Sequence, residues 1–294
     1  MLIYSPQIFL FLSVYRFFLF LMSNLDSFFI FWSVMEISTL VFMGVSYSII
    51  KNNFSSLLSF FIIQALAAFS LLVFYCLGSA FGFSVALLLK LSMFPFYFWY
   101  MNIVFNFPNL IFFFSSSFFK LPSVFIIYIF YEILDYKMIT CSSVLTVLGG
   151  AMIIVVSSEL RLLLIASSVV NNSWFYFSQL VNITFFFLYF FMYVTFLFLI
   201  IYQVSCLTSL NNFTYIPYNI LIVFLLFRLA GFPPFPLFYA KILVVLNLVS
   251  LTSFSFGILI FIVSVVLRIV GYLKHVFISI FYKYRNRLLS FSNW

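Results

Sequence analysis

Acidic side chains are scarce in this chain of 294 residues, five Asp and Glu together, beside one histidine and three cysteines. Charged residues of both signs make up 6% of it, where soluble domains carry about 25%. With 67% hydrophobic residues and a mean hydropathy of +1.30, a soluble globular domain is excluded. Cys76, Cys141 and Cys206 are far apart and form no CxxC pair, so neither an iron–sulfur cluster nor a zinc site is signalled and no metal is expected. The chain also lacks a GxGxxG strand–helix unit and a haem-binding pattern, which argues against a redox cofactor of its own. Glycine and proline are few, eight of each, so the places where they interrupt an apolar run carry meaning.

The net charge of +8 suggests nucleic acid until the charges are located. They lie inside apolar runs and at one end, where YKYRNRL from Tyr282 to Leu288 follows the last run. A juxtamembrane basic cluster fixes topology or meets anionic lipid, so nucleic acid is not an expected partner. The 49 phenylalanines read as the product of a thymine-rich coding strand of the kind found in small organellar genomes. MLIYSPQIFLFLSVYRFFLFLM has no positive n-region and no small-residue cleavage site, so it is expected to be a retained helix and not a signal or transit peptide.

At roughly 20 apolar residues per span, the sequence predicts an all-α polytopic membrane bundle of about ten helices. They lie near 3 to 22, 27 to 50, 55 to 77, 82 to 106, 109 to 133, 138 to 157, 161 to 180, 183 to 204, 217 to 247 and 251 to 275. An even number of spans puts both termini on one side. Lys51, Arg161, Lys274, Lys283, Arg285 and Arg287 fall on that side against Lys137 on the other, which predicts matrix or cytoplasmic termini.

Two runs are interrupted. In FSVALLLKLSMFPFYFWYMNIVF, Pro95 has no amide hydrogen for the carbonyl of Leu91, so the helix should break just after Lys90. LAGFPPFPLFYAK repeats the theme, with breakers Gly231, Pro233 and Pro234 followed by Lys241. In lipid, a freed carbonyl must be covered by protein or by water in a cavity, so a break beside a lysine points to an internal polar site. If the helices divide into two fives, 1–134 and 135–276 with a basic tail at 277–294, each half has a broken helix in fourth place, and the halves are inverted.

Glu36, Lys90, Lys120 and Lys241 lie near the middle of their spans. Together they set roughly 10 to 14 kcal/mol against insertion. Glu36 is a candidate partner for Lys90 or Lys120, but the carboxylates are outnumbered. A lysine without an acid at that depth does not hold its charge cheaply, which suits it to load and release a proton. Gln64, Ser70, Ser167, Ser168, Asn171 and Asn172 are candidates to line a path, although helix–helix hydrogen bonding accounts for such residues as readily. Arg268 either snorkels to the end of its helix or serves as a counterpart of Lys120; His275, beside Lys274, reads as interfacial.

Six segments then match one family in order. LLLKLSMFPFYFW resembles LLLKLGxAPFHFW, FFKLPSVFIIY resembles WQKxAPxxxxx, and LAGFPPFPLFYAKILVVL resembles LGGLPPLTGFxPKW. FWSVMEISTLVF resembles WxGLEMNMLAxxP, FFIIQALAAFSLL resembles YFLTQATASxxLL, and LRLLLIASSVVNNSW resembles LRKIMAYSSIAHMGW. These are segments of subunit 2 of mitochondrial NADH dehydrogenase, respiratory complex I, one of the antiporter-like membrane subunits. The resemblance implies inverted five-helix repeats and a proton-translocating role in which Glu36, Lys90, Lys120 and Lys241 take the family's glutamate and three lysines. It implies the mitochondrial inner membrane, other membrane-arm subunits as partners, and cardiolipin or similar lipid near the basic tail. NADH, FMN, iron–sulfur clusters and ubiquinone are expected in partner subunits. Departures are Tyr97 for the histidine of PFHFW, Leu162 for the lysine of LRK, and Asn171 for the histidine of SSIAHMGW. A stand-alone cation/proton antiporter and a structural spacer subunit remain as alternatives.

Overall fold

The computed structural model describes residues 27–50, 54–207, 220–251 and 260–277. The expected first helix and the basic tail lie outside the described residues. Among those described, every regular element is helical. They form α1 (Phe28–Ile49), α2 (Phe54–Cys76), α3 (Ala80–Leu91), α4 (Tyr97–Val104), α5 (Asn109–Ser116), α6 (Leu121–Ile129) and α7 (Tyr136–Val156). After these come α8 (Leu160–Val181), α9 (Ile183–Leu207), α10 (Ile220–Ala230), α11 (Pro236–Leu251) and α12 (Ile260–Phe277). The described residues fall into two compact units divided between Ser143 and Val144, within α7.

Six helical stretches among the described residues are long and apolar enough to cross a membrane, and the chain is a multi-pass membrane protein. One of them, Asn109–Ile129, is 89% buried within the chain, against 33% for Phe54–Cys76, so it is an inner element and not a lipid-facing one. The α8 helix is as long as a span but carries Ser167, Ser168, Asn171, Asn172 and Ser173. It can do so because every residue from Leu163 to Gln179 is buried, and its hydroxyls and amides meet protein.

In the first unit, the Trp32 indole donates to the Ala68 carbonyl at 2.9 Å and ties α1 to α2. Phe60 on α2 gathers Phe42 of α1, Phe107 before α5 and Phe119 before α6, with ring centroids 5.7, 5.6 and 5.3 Å away. Such aromatic pairs add about 0.5–1.5 kcal/mol each beyond the area they bury. Their placement fixes the turn that carries Lys120. In the second unit, Phe175 of α8 packs against Phe186, Tyr189, Phe190 and Tyr193, the inward face of α9.

Three of the expected spans are each two helices in the structure. Residues 82 to 106 hold α3 and α4, and 217 to 247 hold α10 and α11, with the gaps at the proline-bearing segments. The third gap, between α5 and α6, was not anticipated. There the Ser115, Ser116 and Ser117 hydroxyls donate to the carbonyls of Phe112, Phe113 and Phe113, competing with the backbone ladder. Pro122 offers no N–H to the carbonyl of Phe118, and the chain passes through a 3-10 turn at Phe118–Lys120.

Candidate functional site

The first site is assembled at the end of α3. Ser92 adopts the left-handed conformation (φ 53°), so its N–H reaches the Leu89 carbonyl at 3.2 Å and the Met93 N–H reaches Leu88 at 3.0 Å. The Ser92 hydroxyl donates to the Leu91 carbonyl at 2.5 Å, the group that Pro95 cannot serve. Lys90 lies in the last turn before this end, its side chain 4% exposed, and its amine donates to Glu36 Oε1 at 3.4 Å. Of the two lysines open to Glu36, Lys90 is the one in contact. The carboxylate itself is 23% exposed and the distance is long for a charge-assisted bond, so the pair is loose.

Lys120 closes the 3-10 turn between α5 and α6 and is buried. Its amine stands 4.5 Å from the centroid of the Tyr100 ring on α4, a cation–π contact. The Ser123 hydroxyl holds the Lys120 carbonyl at 2.8 Å. The lysine thus sits at an interrupted helix with an aromatic ring against its amine.

The second unit has its own interrupted pair. Gly231 (φ 78°) ends α10, its N–H on the Arg228 carbonyl and that of Phe232 on Phe227, both at 3.2 Å. Lys241, one turn into α11, folds back on this end and donates to the Ala230 carbonyl at 3.1 Å. An amine there meets a helix C-terminus, where unpaired carbonyls and the helix dipole favour positive charge. The fit depends on glycine, because a Cβ at position 231 would stand 2.8 Å from the Lys241 amine.

Trp174 of α8 lies beside two cations, with the Lys241 amine 5.8 Å and the Arg268 guanidinium carbon 5.5 Å from its ring. Arg268, on α12, is 1% exposed, so it does not snorkel. Its Nε and Nη2 are buried without a hydrogen-bond partner among the described residues, and Tyr189 and Tyr272 are its electrostatic neighbours. Asn171 accepts a hydrogen bond from the Tyr189 hydroxyl at 2.8 Å. Ser168 donates to the Ile165 carbonyl one turn back, at 2.7 Å. Gln64 is buried on α2 with its Oε1 unpaired among the described residues.

His275 is buried and its Nε2 lies 3.4 Å from the Ser157 hydroxyl, so its ring faces protein. Lys274 donates to the carbonyls of Val155 at 2.9 Å and Val156 at 3.3 Å, capping α7 as Lys241 caps α10. Arg228 is a cation the sequence reading passed over. The signal was available, since it is an ionisable residue in an apolar run three positions before Gly231.

No protein-family profile matches the chain. It is 30% identical to NADH-ubiquinone oxidoreductase chain 2 of Albinaria caerulea over 261 residues, covering 83% of this chain and 80% of that one. It is 26% identical to the protein of the same name from Caenorhabditis elegans, over 84% and 87% of the two chains. Among solved structures it is similar to a chain of respiratory complex I from Thermus thermophilus with bound aureothin. That match has a TM-score of 0.63 at 16% identity, and covers 82% of this chain and 63% of that one, so the chain spans less than two thirds of its structural neighbour. The bacterial likeness establishes the fold. Because the identity with the Albinaria protein runs through four fifths of both sequences, this chain belongs to the NADH-ubiquinone oxidoreductase chain 2 family.

Proposed function

We propose that the chain is a proton-translocating membrane-arm subunit of NADH:ubiquinone oxidoreductase, respiratory complex I, in the mitochondrial inner membrane. Protons move along Glu36, Lys90, Lys120 and Lys241, and the chain holds no redox centre. NADH, FMN, iron–sulfur clusters and ubiquinone belong to partner subunits, and the other membrane-arm subunits are its neighbours. In this reading the architecture is about ten helices in two inverted repeats, 1–134 and 135–276, interrupted at Pro95 and at Gly231 to Pro234, with both termini and the basic tail on the matrix side.

The observation that carries the reading is the loose contact of Glu36 with Lys90 beside a helix end, 3.4 Å long and open on the carboxylate side. A paired lysine holds its proton. Withdrawal of Glu36 leaves a buried cation without its carboxylate, a costly state that is relieved by handing the proton on. Lys120, already at an interrupted helix, is a suitable receiver.

The test is the proton-to-electron ratio of the assembled complex in sealed vesicles. Lys90→Met and Lys120→Met should each lower the protons moved per NADH oxidised. Full pumping in both variants overturns the relay and leaves a spacer subunit. A stand-alone antiporter would be recovered apart from any NADH-oxidising assembly.

A further inference from the structure

Arg228 has a well-defined setting that the proton path does not use. Its guanidinium carbon lies 4.4 Å from the centroid of the Phe224 ring and 5.5 Å from those of Phe196 and Phe235. Phe224 and Phe235 pack edge to face, 4.9 Å apart. Phe224 is one turn before Arg228 and Phe235 lies beyond the break, so the head group is held at its own level and is not drawn toward a helix end. At 1.5 Å per residue it stands about 12 Å along α10 from Ile220, the depth of a bilayer interior.

Rings serve the flat faces of a guanidinium. Its five N–H donors point outward in its plane, where rings accept nothing. Among the described residues the Arg228 guanidinium has no hydrogen bond or ion pair, and its Nε is buried. Yet the residue is partly exposed, and Leu221, Phe224 and Phe232 near it are 49%, 44% and 39% exposed. The cation therefore looks out of an apolar face. In hydrocarbon such an edge requires an acceptor. This chain has no Asp or Glu after Glu159 to supply one.

We infer that Arg228 is a docking point for a neighbouring subunit, whose membrane helix brings a carboxylate into the plane of the guanidinium at the level of the Gly231 break. The inference rests on reading this chain as a membrane-arm subunit. A carboxylate fits better than a neutral carbonyl, since it accepts two parallel N–H bonds and cancels the charge. The contact also bears on the second site. The Arg228 carbonyl accepts the Gly231 N–H at 3.2 Å, so a neighbour that grips the side chain holds the residue that closes α10.

The experiment uses the assembled complex in its native membrane. Arg228→Lys places a primary amine at this position, and dicyclohexylcarbodiimide, which partitions into the membrane, condenses an amine with an adjacent carboxylate to an amide while taking up the water. Peptide mapping should find an amide from position 228 to an Asp or Glu of another chain, absent from the wild type. Arg228→Met, assayed in parallel, should shed that neighbour at a lower detergent concentration, while Arg228→Lys retains it. An amide only to an acid of this chain, or an adduct only to lipid, overturns the inference. So does an Arg228→Met complex as detergent-resistant as the wild type. Failure of the underlying reading looks different, because the wild-type chain would then not co-purify with an NADH-oxidising assembly at all.

Discussion

Ser92 and Gly231 close their helices with the same two backbone hydrogen bonds, and both do so from the left-handed region, at φ 53° and 78°. The family segment that this part of the chain resembles has glycine at the position of Ser92. A side chain in that conformation costs about 1–2 kcal/mol. The serine offsets this through its hydroxyl, which donates to the Leu91 carbonyl that Pro95 cannot serve. Removing a donor from a buried carbonyl costs up to roughly 1–3 kcal/mol, so the two effects are of one size.

Ser92→Gly is therefore expected to leave stability near the wild-type value, trading the conformational cost for the lost hydroxyl. Ser92→Ala keeps the cost and loses the hydroxyl, and should be less stable by about 1–3 kcal/mol. Loss of assembled complex on heating, followed on native gels, ranks the variants. An alanine variant as stable as the glycine one contradicts this account.

Gly231→Ala acts on the seat of Lys241 as well as on the backbone. The left-handed conformation costs about 1–2 kcal/mol with a Cβ, and that Cβ meets the amine that donates to Ala230. The expected result is an assembled complex with a lowered proton-to-electron ratio, the same direction as Lys241→Met. Gly231→Ala with unchanged pumping would mean that the amine's position at the end of α10 does not matter.

Glu36 and Lys90 should fail as a unit. Glu36→Gln, Lys90→Met and the double variant form a cycle whose coupling energy is expected at roughly 0.5–3 kcal/mol, toward the lower end because the carboxylate is partly exposed. Denaturation of the purified complex in graded detergent measures it. Additive single effects would show that the 3.4 Å contact carries no energy.

Lys274→Met separates a structural lysine from a transporting one. It removes the donor to the Val155 and Val156 carbonyls and a positive charge at the end of α7, worth about 1–2 kcal/mol together. Stability should fall while each remaining complex pumps normally. A lowered pumping ratio in intact complexes would give Lys274 a role beyond capping.

Spans were legible because an apolar run is a property of the sequence itself. The expected helices near 27 to 50 and 55 to 77 meet α1 (Phe28–Ile49) and α2 (Phe54–Cys76). The end of α3 was legible for a similar reason, since Pro95 lacks its amide hydrogen in any fold. The gap before Lys120 was not, because whether Ser115 to Ser117 compete with the backbone depends on rotamers that no spacing reveals. Partner choice was beyond reach too. Glu36 lies on α1, and only packing decides that it meets Lys90 and that Tyr100 lies beneath Lys120. The return of Lys241 to Ala230 depends on how α11 folds back over Gly231. Nothing in the sequence tells Asn171 that Tyr189 will bind it.

Lys241 donates to a carbonyl that is made before it, and four other cations described above each have a contact that is made before them. Glu36 precedes Lys90, Tyr100 precedes Lys120, Trp174 precedes Arg268, and Val155 precedes Lys274. During synthesis from the N-terminus, each of these charges enters a membrane that already holds its counterpart. Insertion of these five can then proceed helix by helix, each delivered to a waiting group, whereas Arg228 also meets Phe235, which is made after it.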